Sequence, residues 1–377
     1  MKICHVTSAH SSNDERILEK ECVSLAKNKQ YQVFLVVKGN SFIKSDVTVV
    51  GVGEAPAGRV KRILSFSKKV VKKALELDAD VYHLHDPELL QFVPLFKKKG
   101  KIVVFDQHEN VAASIADKYY IPVFMRKTVT WAYTRYTNPK LQACDALVSV
   151  TPHIVEELQK IHDKVYMVTN YPRLRETQPE IPQNTDYHTV LFAGRVAPQW
   201  SHDTVIRAIH TIGDMKYELY GHDEDDYVNN VLSTLPGWQQ TNYHGGVPFQ
   251  EVQQALAKGG IAVALLKPNY NTDGMRGTIG VVKLFECMLA GLPVICTGFE
   301  TWNKIIEGGH CGICIAPDDE KALIEALTYL RDHPAEARQM GENGRALVNS
   351  TYNWQTQEKV LYEMYAYLEE RRQNGTK

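Results

Sequence analysis

Between Val281 and Glu300 the chain reads VVKLFECMLAGLPVICTGFE. Lys283, Leu284, Phe285 and Glu286 open a short apolar helix that Gly291 ends, and the strand-like run LPVIC follows. A carboxylate one helical turn after a lysine lies on a similar face. In such apolar surroundings Glu286 either serves a ligand or only favours the helix amino end through the dipole. The amides of Gly280 to Lys283 can add a helix-terminus anion site. Three other groups invite a metal or redox reading. His83 and His85 alternate at a strand end like a metal pair, but no third ligand stands at the right spacing, so a structural role is expected. Cys311-Gly-Ile-Cys314 opens no helix and lacks a second ligand pair, so plain packing is expected. The acidic run HDEDD (222–226) leads from a strand into a helix start, which it is expected to cap. No metal site and no cofactor are therefore expected.

Positioning these residues requires a framework, and the chain alternates strands and helices throughout. ICHVTS (3–8), YQVFLVV (31–37), VTVVGV (47–52), VYHLH (81–85), KIVVFDQ (101–107) and DALVSV (145–150) read as short apolar strands. Amphipathic helices over 13–28, with an N-cap near Asn13, and over about 60–76 separate some of them. This is the pattern of buried parallel strands in a doubly wound sheet. From 170 to 188 the run NYPRLRETQPEIPQNTDYH has no apolar period and reads as an interdomain linker. The alternation then restarts: TVLFAG (189–194), KYELYG (216–221), TNYHGG (241–246), IAVALL (261–266), LPVICT (292–297) and CGICIA (311–316). A polar-periodic tail over about 336–372 is helical. The expected fold class is α/β: two Rossmann-like domains, 1–170 and 189–350, facing across a cleft, a linker over 171–188, and a C-terminal helix over 351–377 that crosses back to the first domain. Ligands of such folds sit at the carboxyl ends of strands, here in the cleft.

Composition agrees with a two-domain globular protein of 377 residues, 44% hydrophobic and 23% charged. The amino terminus, MKICHVTSAH, shows no signal-peptide pattern, and no run of apolar residues is long enough to span a bilayer. The cysteines, an odd number scattered through apolar segments, read as reduced cytosolic thiols. The net charge of −1 conceals an asymmetry: residues 1–173 carry 26 Lys and Arg against 18 Asp and Glu, the remainder 17 against 26. A basic front and an acidic back suggest different partners for each.

TVLFAGRVAP, YELYGHDED, HGGVP, KLFECMLAGLPVI, GICIAPDDEKALIEAL and YNWQTQEKVLYEMY occur in the order and spacing of family 4 glycosyltransferases, which this chain resembles over nearly its whole length. HVTSAHSSNDERILEKECVSLA, YHLHDPELL and FDQHENVA resemble a branch that builds bacterial surface polysaccharides. The resemblance implies the two-domain GT-B fold and a retaining, nucleotide-sugar-dependent transfer to a glycan or lipid-linked acceptor. It makes 1–170 the acceptor domain and 189–350 the donor domain. It implies that Glu286 grips the donor's ribose, as a carboxylate accepting from both hydroxyls through strong charge-assisted bonds. Arg195, following Gly194, and Lys283, flanked by Val282 and Leu284, are then the diphosphate partners. His244, Gly245 and Val247 resemble the base-recognition loop, and His108 the histidine that faces the donor sugar.

Two positions depart from the family pattern. The second glutamate expected eight positions before Glu286 is Thr278, and the phosphate lysine expected five positions after Arg195 is Trp200. Arg276 or Lys267 can replace the charge, and Thr278 with backbone amides can bind sugar hydroxyls. The implied mechanism is front-face substitution, with Arg195 and Lys283 stabilising the departing diphosphate and no metal required. The donor is expected to be UDP- or GDP-linked. Rival readings are a sugar-nucleotide epimerase and a catalytically inactive binding subunit.

Arg59, Lys61, Arg62, Lys68, Lys69, Lys72 and Lys73 lie on one helical stretch, with Val60, Ile63, Leu64, Val71, Ala74 and Leu75 on another face, and LFKKKGK (95–101) adds four lysines. This basic surface is either merely solvated or docks on an anionic membrane leaflet. Nucleic acid is not expected, since no aromatic platform interleaves with it. The expected location is cytoplasmic, peripheral at the inner face of the cell membrane.

Overall fold

The computed structural model describes residues 1–117, 121–175, 180–183 and 185–375. The chain divides into two compact units, residues 1–170 together with the segment from Trp354 onward, and Tyr171–Asn353. Each is built on a parallel sheet whose short, β-branched strands are buried, as sequences without polar alternation require.

The first unit holds β1 (Lys2–Val6), β2 (Gln32–Val37), β3 (Phe42–Lys44), β4 (Val47–Gly51), β5 (Val81–Leu84), β6 (Ile102–Gln107), β7 (Ala146–Ser149) and β8 (Val165–Met167), in the order β3-β4-β2-β1-β5-β6-β7-β8. Among the described strands, only β3 runs antiparallel to its neighbour. One face packs on Phe66, Val70, Leu89, Phe96 and Leu141, the other on Ile17, Leu18, Leu25 and the C-terminal helix Trp354–Gly375. That helix buries Trp354, Leu361, Met364, Tyr365 and Leu368, and Trp354 Nε1 donates to Ser24 Oγ at 2.9 Å.

The second unit holds β9 (Thr189–Ala193), β10 (Lys216–Tyr220), β11 (Thr241–Gly245), β12 (Ile261–Ala264), β13 (Val294–Thr297) and β14 (Gly312–Ile315), ordered β11-β10-β9-β12-β13-β14. This is the doubly wound order, reversing direction between β9 and β12. Wherever it is described, the stretch after Asn170 packs on this unit. Tyr171 sits edge-on to Phe285 at 4.8 Å between ring centroids, and Arg338 Nη1 donates to the Pro182 carbonyl at 2.7 Å. Residues 176–179 and 184 of that stretch lie outside the described residues.

Several local expectations change. Two short strands, β3 and β8, escape the periodicity reading because three residues carry too little pattern. The tail helix is two helices, Pro334–Ser350 and Trp354–Gly375. The helical cap near Asn13 is Asp14, whose carboxylate accepts from the Ile17 amide at 2.8 Å. The 60–76 helix contains a π-wound turn, Arg62–Phe66. The extra residue rotates the preceding turn out of phase, so Val60 and Leu64 are 68% and 59% exposed rather than packed, while Phe66, Val70, Val71 and Ala74 are buried. The Cys311 and Cys314 pair opens no helix, in line with the sequence: Cys311 precedes β14 and Cys314 lies within it. Cys314 neighbours Cys296 across β13 and β14, with sulfurs 3.6 Å apart.

Candidate functional site

The reversal between β9 and β12 is where a doubly wound sheet opens a crevice. Here β9 and β12 register only through Val190–Ile261 and Leu191–Ala262, and beyond those pairs their carboxyl ends part. Gly194 and Arg195 leave β9 at this point. Gly194 approaches so closely to Gly221, after β10, that any side chain on Gly221 would collide with the Gly194 carbonyl. The loop after β9 folds back through Gln199, whose carbonyl accepts from the Lys267 amide at 2.8 Å, which sets Trp200 in the crevice.

The helix Val282–Ala290 starts without a side-chain cap and ends at Gly291 in the left-handed conformation (φ 80°). Its Leu284, Phe285 and Met288 anchor it in the core, which fixes the direction of Lys283. The Lys283 Nζ lies 3.6 Å from the Trp200 ring centroid and 4.6 Å from that of Phe192. A β-carbon on Gly194 would stand 2.3 Å from the same Nζ, so a side chain there would displace the lysine end from this position. The residue as a whole is half-buried, but its charged end is enclosed by two rings and a backbone. That burial pushes Lys283 down from its ordinary value to about 7; Glu286 pulls it up and Arg195 adds to the depression. Arg195 itself is 65% exposed and pairs with Glu224 at 3.3 Å. Glu286 is half-buried one turn beyond Lys283. The neighbouring His202 stays neutral, driven to about 3 by burial and then by Lys283, with Nδ1 2.9 Å from Tyr217 Oη.

The structure therefore brings Gly194, Arg195, Lys283 and Glu286 together, with Val282 half-buried and Leu284 buried behind them. Other expected residues have local engagements. Lys267 pairs with Asp318 at 3.0 Å and Arg276 with Asp273 at 3.8 Å. Thr278 is buried, and its hydroxyl accepts from the Gly280 amide at 3.1 Å, shaping the turn before the helix. His244 stacks on Tyr220 with centroids 4.1 Å apart and meets Glu218 Oε2 at 2.6 Å. Burial raises Glu218, but bonds from His244 and Asn242 outweigh it and hold the carboxyl below its usual range. Beside it the Gly245 carbonyl accepts from the Gly221 amide at 2.8 Å, and Val247 beyond β11 is half-buried. In the HDEDD run, Asp223 accepts from the Val228 amide at 3.1 Å and so holds the start of the helix Tyr227–Asn230.

In the first unit His108 is 20% exposed and 3.2 Å from buried Asp106, which also takes a 2.8 Å bond from Arg16 Nη2. Asp86, after β5, accepts from Thr7 Oγ1 at 3.0 Å and from the Ala9 amide at 3.2 Å, fixing the loop after β1. Sequence reasoning missed these supports. A carboxylate next to Pro87 and buried charges on the helix Glu15–Cys22 were the available signals. It also read Trp200 as a missing cation rather than as the surface on which Lys283 rests.

Residues 175–347 match the family described as glycosyl transferases group 1, and residues 15–171 match glycosyltransferase family 4. Sucrose-phosphate synthase from Thermosynechococcus elongatus superposes with a TM-score of 0.74 at 14% identity, covering 98% of this chain and 99% of that one. An Anabaena protein, HepE, in complex with UDP-glucose, gives 0.68 at 15%, covering 97% and 100%. Both likenesses concern the fold, which is that of GT-B glycosyltransferases. The two family matches together take in most of both units, and the chain belongs to the family 4 glycosyltransferases. Among characterised relatives, an MMP alpha-(1->4)-mannosyltransferase of Mycolicibacterium hassiacum is 29% identical over 21% of this chain and 20% of its own length. A lipopolysaccharide core mannosyltransferase of Rhizobium meliloti is 24% identical over 38% of this chain and 48% of its own. An alpha-galactosylglucosyldiacylglycerol synthase of Streptococcus pneumoniae is 20% identical over 81% and 83%. The matches thus span about half or less of the first two relatives.

Proposed function

We propose that this enzyme is a retaining hexosyltransferase that moves a sugar from a UDP- or GDP-linked donor to a glycan or lipid-linked acceptor in bacterial surface polysaccharide synthesis, with no metal ion at the donor phosphates. One observation carries the reading: an enclosed lysine, an exposed arginine and a carboxylate meet at the strand reversal of the second unit, beside an uncapped helix start. The donor's diphosphate lies against Lys283, Arg195 and the amides of that helix, where the charge that develops on departure is stabilised. Glu286 accepts from the ribose hydroxyls, the Gly245 to Val247 backbone borders the base, and Thr278 with Arg276 lines the sugar end. His108, in the acceptor unit, faces the donor sugar, and the acceptor hydroxyl attacks from the side on which the diphosphate leaves. The names of the relatives, a lipopolysaccharide-core enzyme and a glycolipid synthase, support a lipid-linked or surface-glycan acceptor.

The test is a panel of nucleotide sugars assayed for nucleoside diphosphate release with and without lipid-linked acceptors, in buffer stripped of free divalent ions. Acceptor-dependent release from a single donor is the expected result. Conversion of the donor without release marks an epimerase, and binding without turnover an inactive subunit. Glu286→Ala is expected to weaken donor binding about tenfold or more, the loss of at least one charge-assisted bond; unchanged affinity rejects its ribose role.

A further inference from the structure

His5 on β1 and His83 on β5 are direct partners across the two paired strands, and His85 follows two residues on, where a strand returns to the same face. Glu21, on the π-wound helix Glu15–Cys22, reaches the same place. All four side chains are buried. His5 Nδ1 lies 2.9 Å from His85 Nε2 and 3.8 Å from Glu21 Oε2, and His85 Nε2 is 4.0 Å from that oxygen. One donor atom from each residue fits within 4.8 Å of every other. Donor atoms around a tetrahedral ion with bonds of about 2.0–2.1 Å stand roughly 3.3 Å apart, which these separations bracket.

Two further observations point to a ligand rather than to a self-sufficient polar core. Buried polar atoms are ordinarily bonded, yet Glu21 Oε2 and His83 Nε2 have no hydrogen-bond partner, while Glu21 Oε1 is held in an ion pair with Arg16 Nε at 3.1 Å. The outer ring nitrogens, by contrast, are supported. His83 Nδ1 is 3.0 Å and His5 Nε2 3.3 Å from Tyr365 Oη, and His85 Nδ1 is 3.5 Å from Asp106 Oδ2. Metal-binding imidazoles are oriented in this way, with the second nitrogen on a hydroxyl or carboxylate. Charge gives the same direction: two buried carboxylates, Glu21 and Asp106, face one buried guanidinium, Arg16.

We propose that His5, His83, His85 and Glu21 ligate one buried divalent transition-metal ion. Three imidazoles and a carboxylate are a zinc-class donor set, and a closed site with no solvent-facing ligand is structural. The ion ties two central strands to the π-wound helix and, through Tyr365, to the C-terminal helix. It also fixes His85 and with it the Asp106–His108 pair. Sequence spacing set His83 and His85 aside for want of a third ligand; strand pairing supplies it from β1. The inference stands on the first unit alone, so its failure leaves the proposed transfer reaction untouched.

The full chain, made without a histidine tag in zinc-supplemented medium and desalted, is assayed by elemental mass spectrometry. About one zinc per chain is expected. Protein produced with cobalt is expected to show the visible absorption of a tetrahedral Co(II) site. His83→Gln and Glu21→Gln are expected to lose metal, and Tyr365→Phe, which removes only an outer partner, to retain it about 10–100-fold less tightly. Folded wild-type protein that holds no transition metal and takes up no cobalt on refolding overturns the proposal. So does metal that persists in the His83→Gln, Glu21→Gln double variant, since it then belongs elsewhere. If the variants fail to fold, the wild-type metal content and cobalt spectrum still decide.

Discussion

Lys283 meets two opposed demands. Its ammonium is enclosed by Trp200, Phe192 and Gly194, which favours the neutral amine, yet a diphosphate partner must be charged. With the group brought down to about 7, half the free molecules carry the charge at neutral pH. A bound diphosphate restores it, so donor affinity is expected to fall as pH rises from 7 to 9, by up to about tenfold per unit. Of the groups facing Lys283, burial holds His202 near 3 and Cys287 near 12, so neither of these titrates in that window. Stability runs the other way. The folded value lies below the unfolded one, so the unfolded chain binds more protons between about 7 and its ordinary 10.5, and stability rises with pH there. Calorimetric titration of the donor at several pH values, with Lys283→Met as the pH-flat control, checks this; affinity that climbs above pH 7 sinks it. At this scale the sequence was readable where one strand end or one helix turn gathers the residues, as with Gly194–Arg195 and Lys283–Glu286. It was not readable where distant segments meet: nothing local to Trp200 or His5 says what lies against it.

Elements were legible where their apolar period is long. The six strands of the second unit follow their sequence runs to within a few residues, because each is a buried parallel strand bounded by turn residues. Phase was less legible. In Glu15–Cys22 and Arg62–Phe66 the chain winds with i+5 spacing, which a 3.6-residue period cannot anticipate, and side chains on either side rotate relative to one another. The C-terminal helix shows what a correctly phased face is worth. Leu361 is fully buried against the first sheet while Glu363, half a turn on, is exposed. Leu361→Ala is expected to cost about 2–5 kcal/mol, transfer plus cavity, and Glu363→Ala within about 0.5 kcal/mol of nothing. Urea unfolding followed by a probe in the first unit measures both; equal effects would mean that this helix does not hold the unit together.

For the whole molecule, charge was visible from composition but its use was not. Much of the basic front is already engaged: Arg62 pairs with Glu88, Lys69 donates to the Val52 carbonyl, Lys73 pairs with Glu76, Lys97 with Asp145 and Lys101 with Asp78. The Arg59 side chain lies outside the described residues. Lys61, Lys68, Lys72, Lys98 and Lys99 remain exposed. On the same unit Phe124 and Trp131, on the helix Val123–Ala143, are 83% and 67% exposed alongside Val60 and Leu64. No described helix is long and apolar enough to cross a membrane. Exposed aromatics and exposed lysines on one unit instead suit an anionic bilayer surface, where each basic residue contributes about 1 kcal/mol and the rings enter the headgroup layer. We therefore expect the full chain to float with anionic vesicles at low salt and to be released as salt screens the lysines. Lys61→Glu, Lys68→Glu, Lys72→Glu should abolish flotation, and Phe124→Ser, Trp131→Ser should weaken it while leaving its salt dependence in place. Absence of flotation at low salt, or equal flotation with neutral vesicles, would reject membrane docking and leave the basic face as a solvated surface.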